Sequence, residues 1–372
     1  MNKSKVSVIV LLVVIIIIAV ISSKLSNKQI GSSEEIVKIG GAFALTGDVA
    51  VYGEADRDGA QLAIDEINAA GGINGKQLKL IVEDTRSTAR DTVTAFTKLK
   101  NIDKADYFLV SFADSYPGTE SLVDKDEMLI SPDGSPEVMN GTVMHDTVFG
   151  TWYRTQPKSE LAVRHMAETG KKKIYVIANN DAYFSMVVDY TKEAAKKYGL
   201  EVVGVDLMGN NADIRSLLPK VKASGADALF FSTMDQGIYT DFLKHHKSML
   251  KDVAIYTDEV ATSYLGPESV GNMENVFFYT NVEPSTKFLE AFKAKFGHEP
   301  QITASVSYDS ANMIAQVIKD SPSDIASYMR SHTFDTVSYG KVTIDAIGGI
   351  QSDAKYFVMK QVKNGKAVEV FK

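Results

Sequence analysis

The sequence contains no cysteine, so neither disulfide bonds nor thiolate metal sites can stabilise the fold. The chain has 372 residues and is 45% hydrophobic and 23% charged, which is typical of a globular protein stabilised by packed cores. Its net charge is −7, and the one basic cluster is the triplet at residues 171–173. Because that triplet directly precedes an apolar strand, it indicates a solvated turn. We therefore expect no nucleic-acid partner.

Signatures of catalysis and of cofactor binding are also missing. The sequence has no G-x-S-x-G elbow, no H-E-x-x-H motif and no Walker A motif. His245 and His246 would point roughly 100° apart on a helix, which is poor geometry for chelating one metal ion. Asp258 and Glu259 could do acid–base chemistry in principle, but neighbours at a strand end project in different directions. We expect no enzyme, no metal site and no cofactor.

The first thirty residues show what is present instead. Lys3 and Lys5 precede an apolar run at residues 6–21, which is typical of a segment that directs export. The run is at the lower edge of the length that spans a bilayer, and residues 21–24 match a cleavage site poorly. We expect residues 1–30 to be an uncleaved membrane anchor with its lysines inside the cell, the alternative being a cleaved signal peptide. Either way, the remaining chain is expected to be extracytoplasmic.

From residue 36 onward, short β-branched runs alternate with longer amphipathic runs. Strands are expected at residues 36–43, 77–83, 107–110, 128–130, 173–178, 201–207, 228–231 and 253–256. Helices are expected at residues 53–70, 89–99, 157–168, 184–198, 214–223 and 238–246, with a further helical connection before residue 128. A tail follows, with helices at 285–296 and 304–319 and strands at 341–344, 355–362 and 367–371. This order predicts two α/β lobes with parallel sheets, which the tail completes.

Polar loops follow the carboxyl ends of the predicted strands, which is the edge where open parallel sheets bind ligands. The loops are at residues 44–47 and 52–53, 111–116, 131–136, 179–183, 232–235 and 257–259. Hydroxyls and helix N-terminal amides suit a carboxylate, acids suit an ammonium, and tyrosines supply an apolar wall with a polar tip. Each loop alone is weak evidence, because Ser, Asp and Gly also cap helices.

Together these motifs resemble the extracytoplasmic solute-binding proteins typified by the leucine/isoleucine/valine-binding protein of ABC importers. The resemblance covers residues 36–371, and its longest motif, residues 59–75, reads GAQLAIDEINAAGGING. Shorter matches lie at residues 39–47, 52–53, 83–85, 129–132, 153–155, 181–183, 296–300 and 308–311.

The resemblance implies a type I periplasmic-binding-protein fold, with two doubly wound parallel-sheet lobes joined by a three-segment hinge. The first lobe would comprise residues 36–154 with 282–336, and the second residues 155–281 with 337–372. The hinge segments would lie near residues 152–156, 280–284 and 334–339. The implied function is capture of an amino acid or related solute for the permease subunits of an ABC importer. The alternative is a ligand-sensing domain that signals through a separate membrane partner.

The resemblance also implies roles for individual residues. Ser115 and Ser135 would receive a ligand carboxylate, and Asp133 stands where a backbone carbonyl meets the ligand ammonium. Glu259, or its neighbour Asp258, would supply the acid of the second lobe. For Ser135 the alternative is a helix cap.

Tyr52 and Tyr183 would line the two lobes of the cleft, the alternative being packing within each lobe. Trp152, the single tryptophan, is expected to pack at the hinge, and Asp309 to serve the fold rather than the ligand. Asp133 adds a carboxyl group where small residues are usual in the family, beside Asp114. We therefore expect a more acidic cleft that favours a ligand with net positive charge, since buried carboxylates without a cation are costly.

Overall fold

The computed structural model describes residues 36–139, 145–209, 212–267, 269–351 and 354–372. The predicted signal or anchor segment at residues 1–30 lies outside the described residues. Within the described ranges, no helix combines the length and the apolar character needed to cross a bilayer.

Strands and helices alternate through most of the described chain. The strands are β1 (Ile36–Phe43), β2 (Gln77–Asp84), β3 (Tyr107–Val110), β4 (Met128–Ser131), β5 (Val148–Gly150), β6 (Lys173–Asn179), β7 (Glu201–Met208), β8 (Ala228–Ser232), β9 (Ala254–Thr257), β10 (Phe277–Asn281), β11 (Thr333–Thr336), β12 (Gly340–Thr343), β13 (Phe357–Lys363) and β14 (Lys366–Phe371). The helices are α1 (Ala50–Ala69), α2 (Ala89–Asn101), α3 (Pro136–Met139), α4 (Thr155–Glu168), α5 (Ala182–Tyr198), α6 (Leu218–Ala223), α7 (Gln236–Met249), α8 (Val270–Met273), α9 (Thr286–Phe296), α10 (Ala304–Asp320) and α11 (Ile325–Ser331).

Two sheets organise these elements. The first contains five parallel strands in the order β2-β1-β3-β4-β5. The second has the order β14-β13-β10-β9-β8-β6-β7, in which the five strands β6 to β10 are parallel and β13 and β14 complete the edge by antiparallel pairing. We call the part around the five-stranded sheet the first lobe and the part around the seven-stranded sheet the second lobe. The predicted α/β class with two parallel-sheet lobes is confirmed.

Helix α1 shows how the sequence positions the first lobe. Its buried face includes Tyr52, and it packs against α10 where Gly59 meets Ala304. A Cβ atom at Gly59 would lie 2.0 Å from the carbonyl oxygen of Ala304, so only glycine permits this approach. Helix α10, from the tail of the chain, therefore belongs to the first lobe.

The connection between β3 and β4 differs from the predicted helix. It contains only a 3₁₀ turn, Glu120–Leu122. Side chains take the backbone donors here, since Glu120 accepts the N–H of Gly118 at 2.8 Å and Glu127 accepts that of Asp124 at 2.7 Å. Such bonds compete with the regular helical ladder. The structure also adds β5 and β10, which the sequence pattern did not reveal.

Asp309 holds one of the predicted hinge segments. It lies within α10, and its two carboxyl oxygens accept the N–H groups of Val337 at 2.8 Å and Ser338 at 3.0 Å. The hydroxyl of Tyr339 then donates to the carbonyl of Thr151 at 3.2 Å. Asp309 therefore serves the fold by attaching this predicted hinge segment to the first lobe.

Candidate functional site

A narrow cavity lies between the lobes, at the carboxyl ends of strands from both sheets. Its volume is about 30 Å³ by the space open to the centres of water molecules. Its lining residues are Tyr52, Phe112, Asp114, Ser115, Asp133, Trp152, Tyr183, Phe184, Met234, Asp258, Glu259, Val260, Ile302 and Thr303. The lobes are therefore almost shut over the site.

The cavity brings together six of the seven residues that the sequence nominated for ligand binding. These are Tyr52, Ser115, Asp133, Tyr183, Asp258 and Glu259. Ser135 is not among the lining residues, and it is fully buried behind Asp114. Trp152 lines the cavity while its ring also packs edge-on against Tyr153, with 4.9 Å between the ring centres. The ligand roles of these residues remain predictions.

In the first lobe, Asp114 occupies the hydrogen-bond donors that the sequence assigned to a ligand carboxylate. Its Oδ2 accepts the backbone N–H of Ser135 at 2.8 Å, and its Oδ1 accepts the hydroxyl of Ser115 at 3.3 Å. The hydroxyl of Ser135 donates to Glu137 at 2.6 Å. Burial raises the pKa of Asp114 to about 7, although the hydrogen bond from the Ser135 N–H stabilises the ionised carboxylate and acts in the opposite direction. Both serines are therefore engaged by the protein's own carboxyl groups.

Deeper in the first lobe, Asp133 and Asp56 form a buried carboxyl pair. Asp133 Oδ1 accepts the N–H of Phe112 at 2.6 Å, which holds that residue at an uncommon φ of +53°. Burial, and then the charge of Asp56, raise the pKa of Asp133 well above its usual range. Asp133 Oδ2 and Asp56 Oδ1 each have no other donor among the described residues. One proton shared between the two carboxyl groups satisfies both oxygens.

In the second lobe, Glu259 begins the 3₁₀ turn Glu259–Tyr264 that follows β9. Its Oε1 accepts from the ammonium of Lys158 at 2.7 Å, while its Oε2 is buried and has no donor among the described residues. Beside it, Asp258 accepts the hydroxyl of Ser232 and the N–H of Val260. Burial, and then the charge of Glu259, raise the pKa of Asp258 to about 7.

Lys158 is completely buried, and sequence reasoning missed it. Its ammonium lies 5.6 to 5.8 Å from the centres of four aromatic rings, close enough for cation–π attraction. The rings belong to Trp152, Tyr153, Tyr183 and Tyr279. Burial alone would lower the pKa of Lys158, but the interactions with Glu259 and Tyr183 together outweigh it and raise that pKa. Lys158 therefore stays charged and fixes one oxygen of Glu259.

A helical pattern could have revealed this lysine. In α4, Lys158 is followed by Leu161, Ala162 and His165, the spacing of a single helix face. All four residues are buried, so the lysine lies on the face that packs inward. A lysine charge usually indicates an exposed position, but the helical spacing of Lys158 with three buried residues indicates the core, which is where the structure places it.

A short hydrogen-bonded chain also joins the lobes. Tyr52 and Ser263 place their hydroxyl oxygens 3.3 Å apart, and Ser263 donates to Gln301 Oε1 at 3.2 Å. Since Ser263 donates to Gln301, the proton between the two hydroxyls belongs to Tyr52. Tyr52 and Gln301 come from the first lobe and Ser263 from the second. The chain therefore stabilises the shut arrangement. Across the described ranges, no group of three His, Asp or Glu residues is placed to hold a metal ion.

Comparison with known proteins gives the same fold. The family described as periplasmic binding protein matches residues 36–366. An amino acid binding protein of Pseudomonas aeruginosa is 29% identical over 353 residues, covering 89% of this chain and 91% of that protein. The leucine-, isoleucine-, valine-, threonine- and alanine-binding protein of the same organism is 26% identical over 344 residues, covering 86% of this chain and 88% of that protein.

A solved structure agrees with these relatives. The branched-chain amino acid transporter substrate binding protein LivJ of Streptococcus pneumoniae, in complex with isoleucine, superposes with a TM-score of 0.74. It is 25% identical in sequence, and the match covers 90% of this chain and 100% of that one.

These matches confirm the predicted resemblance and the predicted function, extracytoplasmic binding of a small solute. The family consists of solute-binding proteins rather than enzymes. The chain belongs to the family of periplasmic binding proteins.

Proposed function

We propose that the protein captures an amino acid or a related nitrogen-containing compound between its lobes and delivers it to the membrane subunits of an ABC importer. One observation carries the proposal. Glu259 Oε2 is buried at the cavity and has no donor in the described part of the chain, while Lys158 donates to the other oxygen. A buried acceptor of this kind is costly until a donor reaches it, and a ligand N–H group supplies that donor. The amino acid binding relatives support the same ligand class.

Capture on this proposal needs no covalent chemistry. Ligand contacts with both walls stabilise the shut form over the open form, which is the differential affinity that any ligand-driven closure requires. Rotation would occur at the three predicted hinge segments, near residues 152–156, 280–284 and 334–339. Residues 1–30 would hold the protein at the outer face of the cell membrane, within reach of the transporter.

A thermal-shift screen of the full chain against amino acids, their amides and the corresponding amines tests the proposal. A ligand at a hundredfold excess over its Kd should stabilise the folded protein by about 2.7 kcal/mol. Glu259→Gln should abolish that shift. Glu299→Gln is a matched control, because it makes the same change in an exposed ion pair with Lys293, outside the cavity and the predicted hinge segments. A screen in which no nitrogen-containing solute shifts the midpoint would overturn the proposal, as would an unchanged shift in Glu259→Gln.

A further inference from the structure

We propose that the ligand is a small organic amine without a carboxylate, and that Asp114 is the residue that excludes free amino acids. The inference rests on the proposed function and narrows its ligand class. It follows from the charges at the cavity, from the donors that are already occupied and from the acceptor that is not.

The charges come first. The lining contains four carboxyl groups and no Lys, Arg or His among the described residues. The carboxyl groups are those of Asp114, Asp133, Asp258 and Glu259. Burial raises the pKa of Asp114 and Asp258 to about 7 and that of Asp133 well above its usual range, so near neutral pH these groups are ionised only in part. Each ionised member repels a ligand carboxylate and attracts a ligand ammonium in a buried site, where Coulomb forces are screened far less than in water.

The donors point the same way. Anions need N–H or O–H groups, and the two serines nominated for this role already donate to Asp114 and Glu137. A ligand carboxylate would have to displace the side chain of Asp114, which is itself a carboxyl group bound to the N–H of Ser135. The protein thus carries its own substitute for the acid half of an amino acid. Of the donors nominated in the first lobe, the Ser135 N–H and both serine hydroxyls are therefore already used by the protein's own carboxyl groups.

The acceptor completes the argument. Glu259 is only 4% exposed and lines the cavity, and one of its oxygens accepts no hydrogen bond from any residue that the structure describes. Lys158 shows that this neighbourhood stabilises an alkylammonium, since its own ammonium lies against Glu259 and among aromatic rings. The cavity wall has the same composition, with acids beside aromatic side chains. The aromatic members are Tyr52, Phe112, Trp152, Tyr183 and Phe184. This combination suits an organic cation with an apolar body.

Matched pairs of compounds that differ only by a carboxylate test the inference by calorimetry on the full chain. The pairs are arginine and agmatine, lysine and cadaverine, leucine and isopentylamine, and phenylalanine and phenethylamine. We expect at least one amine to bind at least tenfold more tightly than its amino acid, and no amino acid to bind more tightly than its amine. An amino acid that binds better than its amine overturns this inference and leaves the proposed function intact. Failure of every compound to bind overturns this inference, and the proposed function falls with it only if the wider thermal-shift screen also finds no ligand.

Two variants test the role of Asp114. Asp114→Ala frees the Ser135 N–H and the Ser115 hydroxyl, so the preference for the amine over the amino acid should fall at least tenfold. Asp114→Asn keeps an acceptor for Ser135 and removes the charge, so it should fold even if Asp114→Ala does not, and the preference should fall at least threefold. Asp189→Ala, which removes an exposed ion pair with Lys192, should leave the preference unchanged. An unchanged preference in a folded Asp114 variant overturns the assigned role.

Discussion

The two walls of the cavity bury carboxyl groups by different means. The first-lobe wall surrounds Asp114 with backbone and hydroxyl donors and pairs Asp133 with Asp56, so that protons limit its charge. The second-lobe wall pairs Glu259 with the buried ammonium of Lys158. The charge of the first wall therefore varies with pH. The second wall combines the ion pair of Glu259 and Lys158 with Asp258, whose pKa burial and the charge of Glu259 raise to about 7.

Removing the fixed cation should produce the largest effect. Lys158→Met leaves the charge of Glu259 buried without its partner, which should lower the free energy of unfolding by about 3–5 kcal/mol in urea denaturation. Lys197→Met is the matched control, because it breaks an exposed ion pair with Glu160. That variant should change the denaturation midpoint little. Equal effects of the two substitutions would show that the second wall does not depend on its buried pair.

A change of pH near neutrality should alter the stability of the folded protein mainly through its buried carboxyl groups. Burial raises the folded-state pKa of four of them to about 7, so the folded protein binds more protons than the unfolded chain between about pH 4 and pH 7. Stability should therefore rise as the pH falls from about 8 to about 6.5, by less than about 1 kcal/mol for each group. The four groups are Asp56, Asp114, Asp258 and Asp309.

Charged neighbours and histidines set the limits of this window. Asp114 faces Asp133, and Asp258 faces Glu259 and Lys158. Below about pH 6.5 the buried histidines oppose the trend, because burial lowers their pKa values and the unfolded chain gains their protons first. Thermal midpoints measured across the window should show a shallower slope for Asp114→Asn. A wild-type midpoint that rises with pH in this window would contradict the assignment.

The contact between the walls should give the smallest effect. Tyr52→Phe removes the hydroxyl that meets Ser263, at a cost of no more than about 1 kcal/mol to the shut form. Small-angle scattering of the ligand-free protein should show a larger radius of gyration. Tyr198→Phe is the control, since it removes a bond to Glu160 within the second lobe. A change of similar size in both variants would mean that the Tyr52 bond has no special part in closure.

Much of the architecture could be predicted from the alternation of strands and helices. The rule that open parallel sheets bind ligands at the carboxyl ends of their strands located most of the cavity. The rule nominated the loops that carry Tyr52 and Glu259, because parallel strands bring their carboxyl ends to one edge of each sheet, and the resemblance predicted that the two edges meet in one cleft. Strand β5 escaped prediction because it has only three residues, Val148–Gly150, and depends on pairing with β4. Short segments of this kind gain their structure from neighbours distant in sequence.

The environment of the site was harder to predict than its location. The pair formed by Lys158 and Glu259 joins residues 101 positions apart, and no local pattern announces such a partner. Asp114 accepts hydrogen bonds from the Ser115 hydroxyl and the Ser135 N–H only because its side chain points toward them, and the sequence does not reveal that direction. Residue type indicated donors and acids, but only packing decides which of them a ligand can reach.

The hydrogen bonds from Val337 and Ser338 to Asp309 restrict how the two lobes can rotate relative to each other. With both amides fastened to the first lobe, this predicted hinge segment is restrained up to Ser338, and the next residue, Tyr339, is bonded to Thr151, beside the predicted hinge segment at residues 152–156. Further along the chain, the N–H of Gly150 donates to the carbonyl of Gly348 at 2.9 Å, so the connection stays attached to the first lobe well past Ser338. Two of the three predicted hinge segments are thus coupled, and we expect the lobes to swing about a single axis rather than to twist freely.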